Sequence, residues 1–259
     1  MNALSLLRNA ALTVAAIALL TWAPAAKADP NLVQNGQFQN YNSNMATPGG
    51  YVCYPSGPSC NSDVTDWSAT CSLVGGCGTS GTPLSLLFAT SGGSAWNGVP
   101  GQSNFGFATP ALDPPGGGNY IGDDGDFIYN SSLFQTINGL TVGDSYALSF
   151  SQAAAEQGGQ STQTTEQWQV SLGAQTQTSV LMNNPPGGFT PWSQQTMTFT
   201  ASSTSEVLNF LSLGAPSGVP PIALLADVSL VQTPEPTTLM LLAGMGGLLV
   251  IVMRCRRRA

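Results

Sequence analysis

Hydrophobic and polar residues alternate with a period of two along much of the second half of the chain. Trp168, Val170 and Leu172 alternate with Gln and Ser, and Tyr146, Leu148 and Phe150 form a similar set, as do Met197 and Phe199. In the run Ile222–Val231, the residues Ile222, Leu224, Ala226, Val228 and Leu230 share one side of the pattern. Successive side chains of a strand point to opposite faces, so each run predicts a half-buried β-strand. Turn signals separate the runs: Asn138-Gly139, Val142-Gly143-Asp144, Pro185-Pro186-Gly187-Gly188 and Ala215-Pro216-Ser217-Gly218. Many short strands between turns, with no amphipathic helical period, predict an all-β antiparallel β-sandwich. Residues 41–62 and 91–119 are rich in Gly, Ser, Asn and Pro and read as extended loops, either binding surfaces or tolerated insertions.

Two apolar runs at the ends break this pattern. Arg8, the apolar stretch Ala10–Leu20 and the small-x-small triplet Ala26-Lys27-Ala28 have the order of a secretory signal peptide. Residues 1–28 are therefore expected to be removed by signal peptidase, with Ala26 and Ala28 marking the cleavage site. Thr237–Met253 carries no charge and is followed by Arg254, Arg256, Arg257 and Arg258 around Cys255. A helix of this length spans about 25 Å, a workable single membrane crossing. The arginines would remain cytoplasmic, leaving residues 29–233 as an exported domain.

Charge sharpens this division. Of 259 residues, 6 are Lys or Arg, 13 are Asp or Glu and none is His. The basic residues are Arg8, Lys27 and the four arginines of the tail, so residues 29–253 contain no cation. Phosphate and nucleic-acid sites need Lys or Arg, so no nucleic-acid partner is expected. Ser-His-Asp, Cys-His and Ser-Lys nucleophiles are excluded for want of a base. Carboxylate chemistry, hard-cation binding or a non-catalytic role remains.

Cys53, Cys60, Cys71 and Cys77 form an even set in an exported domain and predict two disulfides. Three connectivities are open, with the local pairs 53–60 and 71–77 favoured because short separations close most readily. A four-cysteine zinc site needs tighter pair spacing. The densest acid cluster is Asp123, Asp124 and Asp126. It reads either as a calcium site, whose cation would offset the mutual repulsion, or as a solvated turn. Glu156 and Glu166 flank a Gly/Gln/Ser/Thr stretch. They read as solvated loop acids, the alternative being the carboxylate pair of a glycoside hydrolase. Trp168 reads as core, while Trp67 and Trp192 border strands and fit either role. Trp96 and Tyr120, in or beside loop-like segments, are the candidate ligand-binding aromatics, ahead of Tyr51 and Tyr54.

Pro234-Glu235-Pro236, the apolar helix and the terminal arginine cluster closely resemble the PEP-CTERM sorting signal of Gram-negative bacteria. The same tail also carries the label ice-binding protein C-terminal domain. The resemblance covers residues 234–259 and implies recognition by an exosortase, with Pro234, Glu235 and Pro236 as substrate. Export to the cell surface or the exopolysaccharide would follow. Two prolines keep that stretch extended, as a protease-like cleft requires. The phrases NLVQNGQF (31–38), SLFQTINGLTVGDSYALSF (132–150) and PPIALLADVSL (220–230) resemble galactose-binding-like, jelly-roll carbohydrate-binding modules. In that family a Glu after the opening Phe and an Asp on the closing strand often join in a structural calcium site. Asp227 matches, and Gln39 stands in place of the Glu. Together these features lead us to expect a binding or structural protein rather than an enzyme, with polysaccharide as ligand. A glycoside hydrolase and an ice-adhesion protein are the alternatives, the latter without a regular Thr-x-Thr array on a long flat face.

Overall fold

The period-two runs become strands in a computed structural model that describes residues 30–41, 64–70, 85–88, 112–126, 132–157 and 159–233. The signal-peptide residues Ala26 and Ala28, the four exported cysteines, Trp96 and the tail 234–259 lie outside the described residues. In chain order the strands are β1 (Ser68–Thr70), β2 (Ser85–Phe88), β3 (Tyr120–Asp124), β4 (Ser132–Asn138), β5 (Ser145–Glu156) and β6 (Thr164–Leu172). They continue with β7 (Gln175–Thr178), β8 (Met182–Asn184), β9 (Ser193–Thr200), β10 (Ser205–Ala215) and β11 (Pro221–Gln232). One sheet has the order β1-β4-β10-β6-β7, with β8 also paired to β6; the other has the order β2-β3-β11-β5-β9. Every pairing is antiparallel. The result is an all-β two-sheet sandwich.

The core lies between the sheets and is knit by aromatic contacts. Phe210 on β10 meets Phe150 and Trp168 edge-on, with ring centroids 5.3 and 6.0 Å away, and Trp67 at 6.3 Å. Phe38 extends the cluster by packing 5.3 Å from Trp67. A buried indole N–H needs an acceptor. Trp168 finds one across the sandwich, donating from Nε1 to the Leu224 carbonyl at 3.2 Å, and so ties β6 to β11.

Strand β11 carries a β-bulge. Its register with β5 shifts between Ala226 and Ser229, where Asp227 takes a φ of 53°. An extra residue reverses which positions face inward. Ala223 and Leu225 join the inter-sheet core before the bulge, and Val228 and Leu230 join it afterwards. The expectation that Ile222 through Leu230 share one face is therefore corrected. Ile222, Leu224 and Ala226 lie on the outer side of the five-stranded sheet and are buried there. The same outer face carries Ala153 and Ala155 of β5, both fully buried.

Without lysines, the sheet edges are closed by amides. Gln177 of β7 donates from Nε2 to the Thr198 carbonyl of β9 at 2.6 Å. Gln175 donates to the Thr200 carbonyl and accepts from the Thr200 N–H at 3.2 Å. These side chains occupy backbone groups that would otherwise template another strand. On the opposite flank, Gln135 accepts from the Gln34 N–H at 2.8 Å and donates to the Gln34 and Asp66 carbonyls, each at 2.9 Å. One side chain thus holds two otherwise irregular segments against β4.

Phe210 contacts three other aromatic rings, and its truncation leaves a cavity that both sheets border. Phe210→Ala is expected to lower stability by roughly 3–5 kcal/mol. Urea denaturation of the full chain in detergent, followed by tryptophan fluorescence, would read this as a lower midpoint at unchanged slope.

Candidate functional site

The acids expected to gather around calcium are dispersed. Asp123 follows Ile121 on the inward face of β3, opposite Ala223. Asp124 faces the other way, opposite Ile222. Asp126 closes the turn before β11, accepting from Ser217 Oγ at 3.0 Å and from the Gly218 N–H at 2.6 Å. Asp227 lies farther along β11 on the bulge. Among the described residues, no three His, Cys, Asp or Glu side chains are grouped to hold a metal ion. Alternation explains the dispersal, because adjacent acids on a strand point to opposite faces.

Gln39 and Asp227, the pair implied by the family resemblance, do line one cleft of about 400 Å³ together with Asn31, Asn35, Gln37 and Asn40. Asp227 is nevertheless engaged. Its Oδ2 accepts from the Gly116 N–H at 3.0 Å and from Ser151 Oγ at 3.2 Å. Its Oδ1 is buried without a hydrogen-bond partner among the described residues, and a Cβ on Gly116 would stand only 2.1 Å from it. A single carboxylate beside the neutral amide of Gln39 supplies less charge than the donor sets that hold calcium.

Glu156 and Glu166 correct a second expectation. Both are fully buried rather than solvated. Glu156 ends β5 on its inward face and accepts from the Thr162 N–H at 2.9 Å and from the Gly187 N–H. Glu166 lies on the inward face of β6, two residues before Trp168. Burial raises its carboxyl pKa to about 8; the nearby Thr164 hydroxyl offsets part of the rise and the Glu156 charge adds to it.

Tyr120 also departs from expectation. It opens β3 and is buried, with its ring 5.5 Å from that of Trp192 in an edge-on contact. Burial first and the Asp113 charge second raise its phenol pKa well above the ordinary range. Trp192 is half-buried, donates from Nε1 to the Leu112 carbonyl at 2.7 Å and meets Phe189 at 6.4 Å. Phe189 itself bridges to Ala155. These rings belong to the outer side of the five-stranded sheet, where the small side chains of Ala153, Ala155 and Ala226 leave room for them. Tyr120 is thus part of a packed layer, not an open platform.

The six-stranded sheet has the opposite character. At its β1–β4 end lies a cleft of about 670 Å³, bordered by Gln34, Thr65, Asp66, Ser68, Phe134, Thr136 and Asn138 with Trp67 beneath. Leu133, Gln135 and Ile137 of β4 are buried, which sends Phe134, Thr136 and Asn138 to the outer face. Phe134 is half-buried, flanked by Ser68 on β1 and Asn209 on β10. Asp66 adopts a φ of 69°, a conformation sparsely populated by residues other than glycine. Its carbonyl is held by Gln135. An apolar ring, a carboxylate and several hydroxyls and amides therefore border one concave surface. In the sequence Phe134 is a lone aromatic on the polar face of a strand, a weak signal beside the loop aromatics.

The model of the PEP-CTERM protein-sorting motif matches residues 232–258. No curated protein matches the chain. Among solved structures, TmCBM61 in complex with β-1,4-galactotriose is 11% identical, with 79% of this chain and 99% of that chain covered and a TM-score of 0.42. The N-terminal cellulose-binding domain of Cellulomonas fimi β-1,4-glucanase C is 23% identical, with coverages of 46% and 80% and a TM-score of 0.29. The K3 cleaved adhesin domain of Lys-gingipain from Porphyromonas gingivalis is 12% identical, with coverages of 57% and 91% and a TM-score of 0.33. The strand order of the chain itself is that of a two-sheet antiparallel sandwich. The chain ends in a PEP-CTERM motif, which implies an exported, exosortase-sorted cell-surface protein.

One consequence of the dispersed acids can be tested by pH. Burial raises the Asp124 carboxyl from 3.8 to about 7; the Asp126 N–H offsets part of this and the Asp126 charge adds to it. The folded chain therefore keeps a proton that the unfolded chain loses near pH 4. Stability falls as pH rises from about 4 to 7 and then levels off. Asp124→Asn is expected to raise the melting temperature at pH 8, by up to about 4 kcal/mol in stability, and to change little near pH 4. Calorimetric melts of both proteins at the two pH values would check this.

Proposed function

We propose that this chain is a secreted polysaccharide-binding protein, delivered to the surface of a Gram-negative cell and associated there with exopolysaccharide. In this reading the sandwich is a jelly-roll of the galactose-binding-like type. Residues 237–253 anchor it as a single transmembrane helix until an exosortase acts at Pro234-Glu235-Pro236. The observation that carries the ligand class is the cleft around Phe134. Its size suits one or two sugar rings, its aromatic ring offers a face to axial C–H groups, and its rim offers hydrogen-bonding groups to hydroxyls. The bound glycan is neutral. A uronate or sulfate would meet Asp66 with no cation available from residues 29–253.

A hydrolytic reading finds less support. Glu156 and Glu166 are sealed in the interior, where no glycosidic bond could reach between them. Ice adhesion finds a short row of exposed threonines on β9, Thr196, Thr198 and Thr200, which ends after three.

The binding reading is tested by a glycan array and calorimetry on the full chain in detergent. Neutral polysaccharide is expected to bind, and Phe134→Ala to weaken binding about tenfold, the worth of one aromatic contact. Retention of full affinity by this variant would remove the cleft from consideration. The sorting reading is tested by the mass of the mature protein from cells that contain the exosortase. A chain shortened at both ends is expected, and an intact residue 234–259 tail would contradict it.

A further inference from the structure

Among the described residues, no backbone or amide N–H is placed on three buried oxygens at one end of the sandwich, Oε1 and Oε2 of Glu166 and Oδ1 of Asn184, and the neighbouring Thr164 hydroxyl, itself buried, favours the ionised form of Glu166. Their placement follows from register. Thr164 and Glu166 share the inward face of β6 with Trp168 and Val170. Across the β6–β8 ladder, Asn184 stands opposite Thr164, and Met182, a core residue, stands opposite Glu166. Residues directly opposite in a ladder share a face. Thr164, Glu166 and Asn184 therefore converge on one side of the sheet, and all three are fully buried. The opposing sheet contributes Glu156 at the inward-facing end of β5, close enough for its charge to act on Glu166.

We propose that this pocket is a structural calcium site, with the Glu166 carboxylate, the Glu156 carboxylate, Asn184 Oδ1 and Thr164 Oγ1 as its ligands. All four groups offer oxygen, the donor a hard cation prefers, and two carboxylates match the charge of one divalent ion. No lysine, arginine or histidine exists among residues 29–253 to serve instead. Glu156 is already oriented by the Thr162 and Gly187 N–H groups, as metal-binding carboxylates are by the hydrogen bonds behind them. The ion would join β5 to β6 and β8 across the open end of the core. This site is separate from the Gln39–Asp227 cleft, which holds a single carboxylate.

The test uses the full chain in detergent, stripped with EDTA and titrated with calcium. Calcium is expected to raise the melting temperature by about 5 °C or more, as for a ligand present far above its dissociation constant. The rise should persist in Asp227→Asn and vanish in Glu166→Gln. Terbium, excited through the neighbouring Trp168, should luminesce in the wild type and be displaced by calcium. Should Glu166→Gln not fold, Thr164→Val removes one ligand at equal volume and is expected to lower calcium affinity about tenfold. A wild-type melt indifferent to calcium and EDTA would overturn the proposal in favour of a proton shared by the two glutamates. A calcium shift that survives loss of Glu166, or unchanged affinity in Thr164→Val, would overturn it as well.

Discussion

Between Lys27 and Arg254 the chain has no positive charge, and the fold is organised around that lack. Buried carboxylates in most proteins are paired with Arg or Lys. Here they are met by backbone N–H groups and hydroxyls, and each such contact fastens a turn. Asp126 holds the Ser217-Gly218 turn. Glu206 accepts from the Ser202 and Ser203 N–H groups at 2.7 and 3.0 Å and so shapes the turn leading into β10. Asp227 fastens Gly116, and Glu156 fastens Thr162 and Gly187. Hydrogen bonds to an ionised acceptor are roughly twice as strong as neutral ones. Acids in this domain are thus loop clasps, and the irregular segments depend on them. Glu166 differs from these clasps, since among the described residues no N–H is placed on either of its oxygens.

The bulge at Asp227 gives the two halves of β11 different tasks. Before it, Ile222, Leu224 and Ala226 turn outward beneath the Tyr120–Trp192–Phe189 layer; after it, Val228 and Leu230 fill the inter-sheet core. The run of alanines in β5 serves the same arrangement. Ala154 faces the core, while Ala153 and Ala155 supply a low floor for the aromatic layer. Larger residues at those outer positions would lift the rings and break the 2.7 Å bond from Trp192 to Leu112. Two apolar layers thus flank the five-stranded sheet, one on each face.

Much of this architecture was legible because alternation reports burial directly. The strands around Tyr146, Trp168, Phe199 and Leu224 all exist, and Trp168 is core as its polar neighbours suggested. What escaped was anything that depends on a change of parity or on contact between distant segments. A bulge leaves no mark in a hydrophobic pattern when the residues on both sides of it are apolar, as in IALLADVSL. Glu156 and Glu166 looked solvated because Gly, Gln, Ser and Thr lie between them. Yet Glu156 ends β5 and Glu166 is the third residue of β6, in opposite sheets, and both face the core. Tyr120 follows a glycine-rich loop, but the aromatic ring that buries it is Trp192, far along the chain.

The two sheets consequently present unequal outer surfaces, and that inequality bears on function. The five-stranded sheet spends its outer aromatics on packing: Tyr120 is buried and Trp192 is tied to a backbone carbonyl. The six-stranded sheet leaves Phe134 half-open among polar groups at the edge of a cleft. Its rigidity comes from beneath, where Gln135 fixes the Gln34 and Asp66 segments and Trp67 bonds to the Asn35 carbonyl at 3.1 Å. If the cleft binds as proposed, it does so preorganised, and little ordering entropy opposes association. In the proposed binding role, its lack of cations would disfavour an anionic polymer, which would meet only acids and neutral dipoles. A neutral glycan loses nothing by that absence.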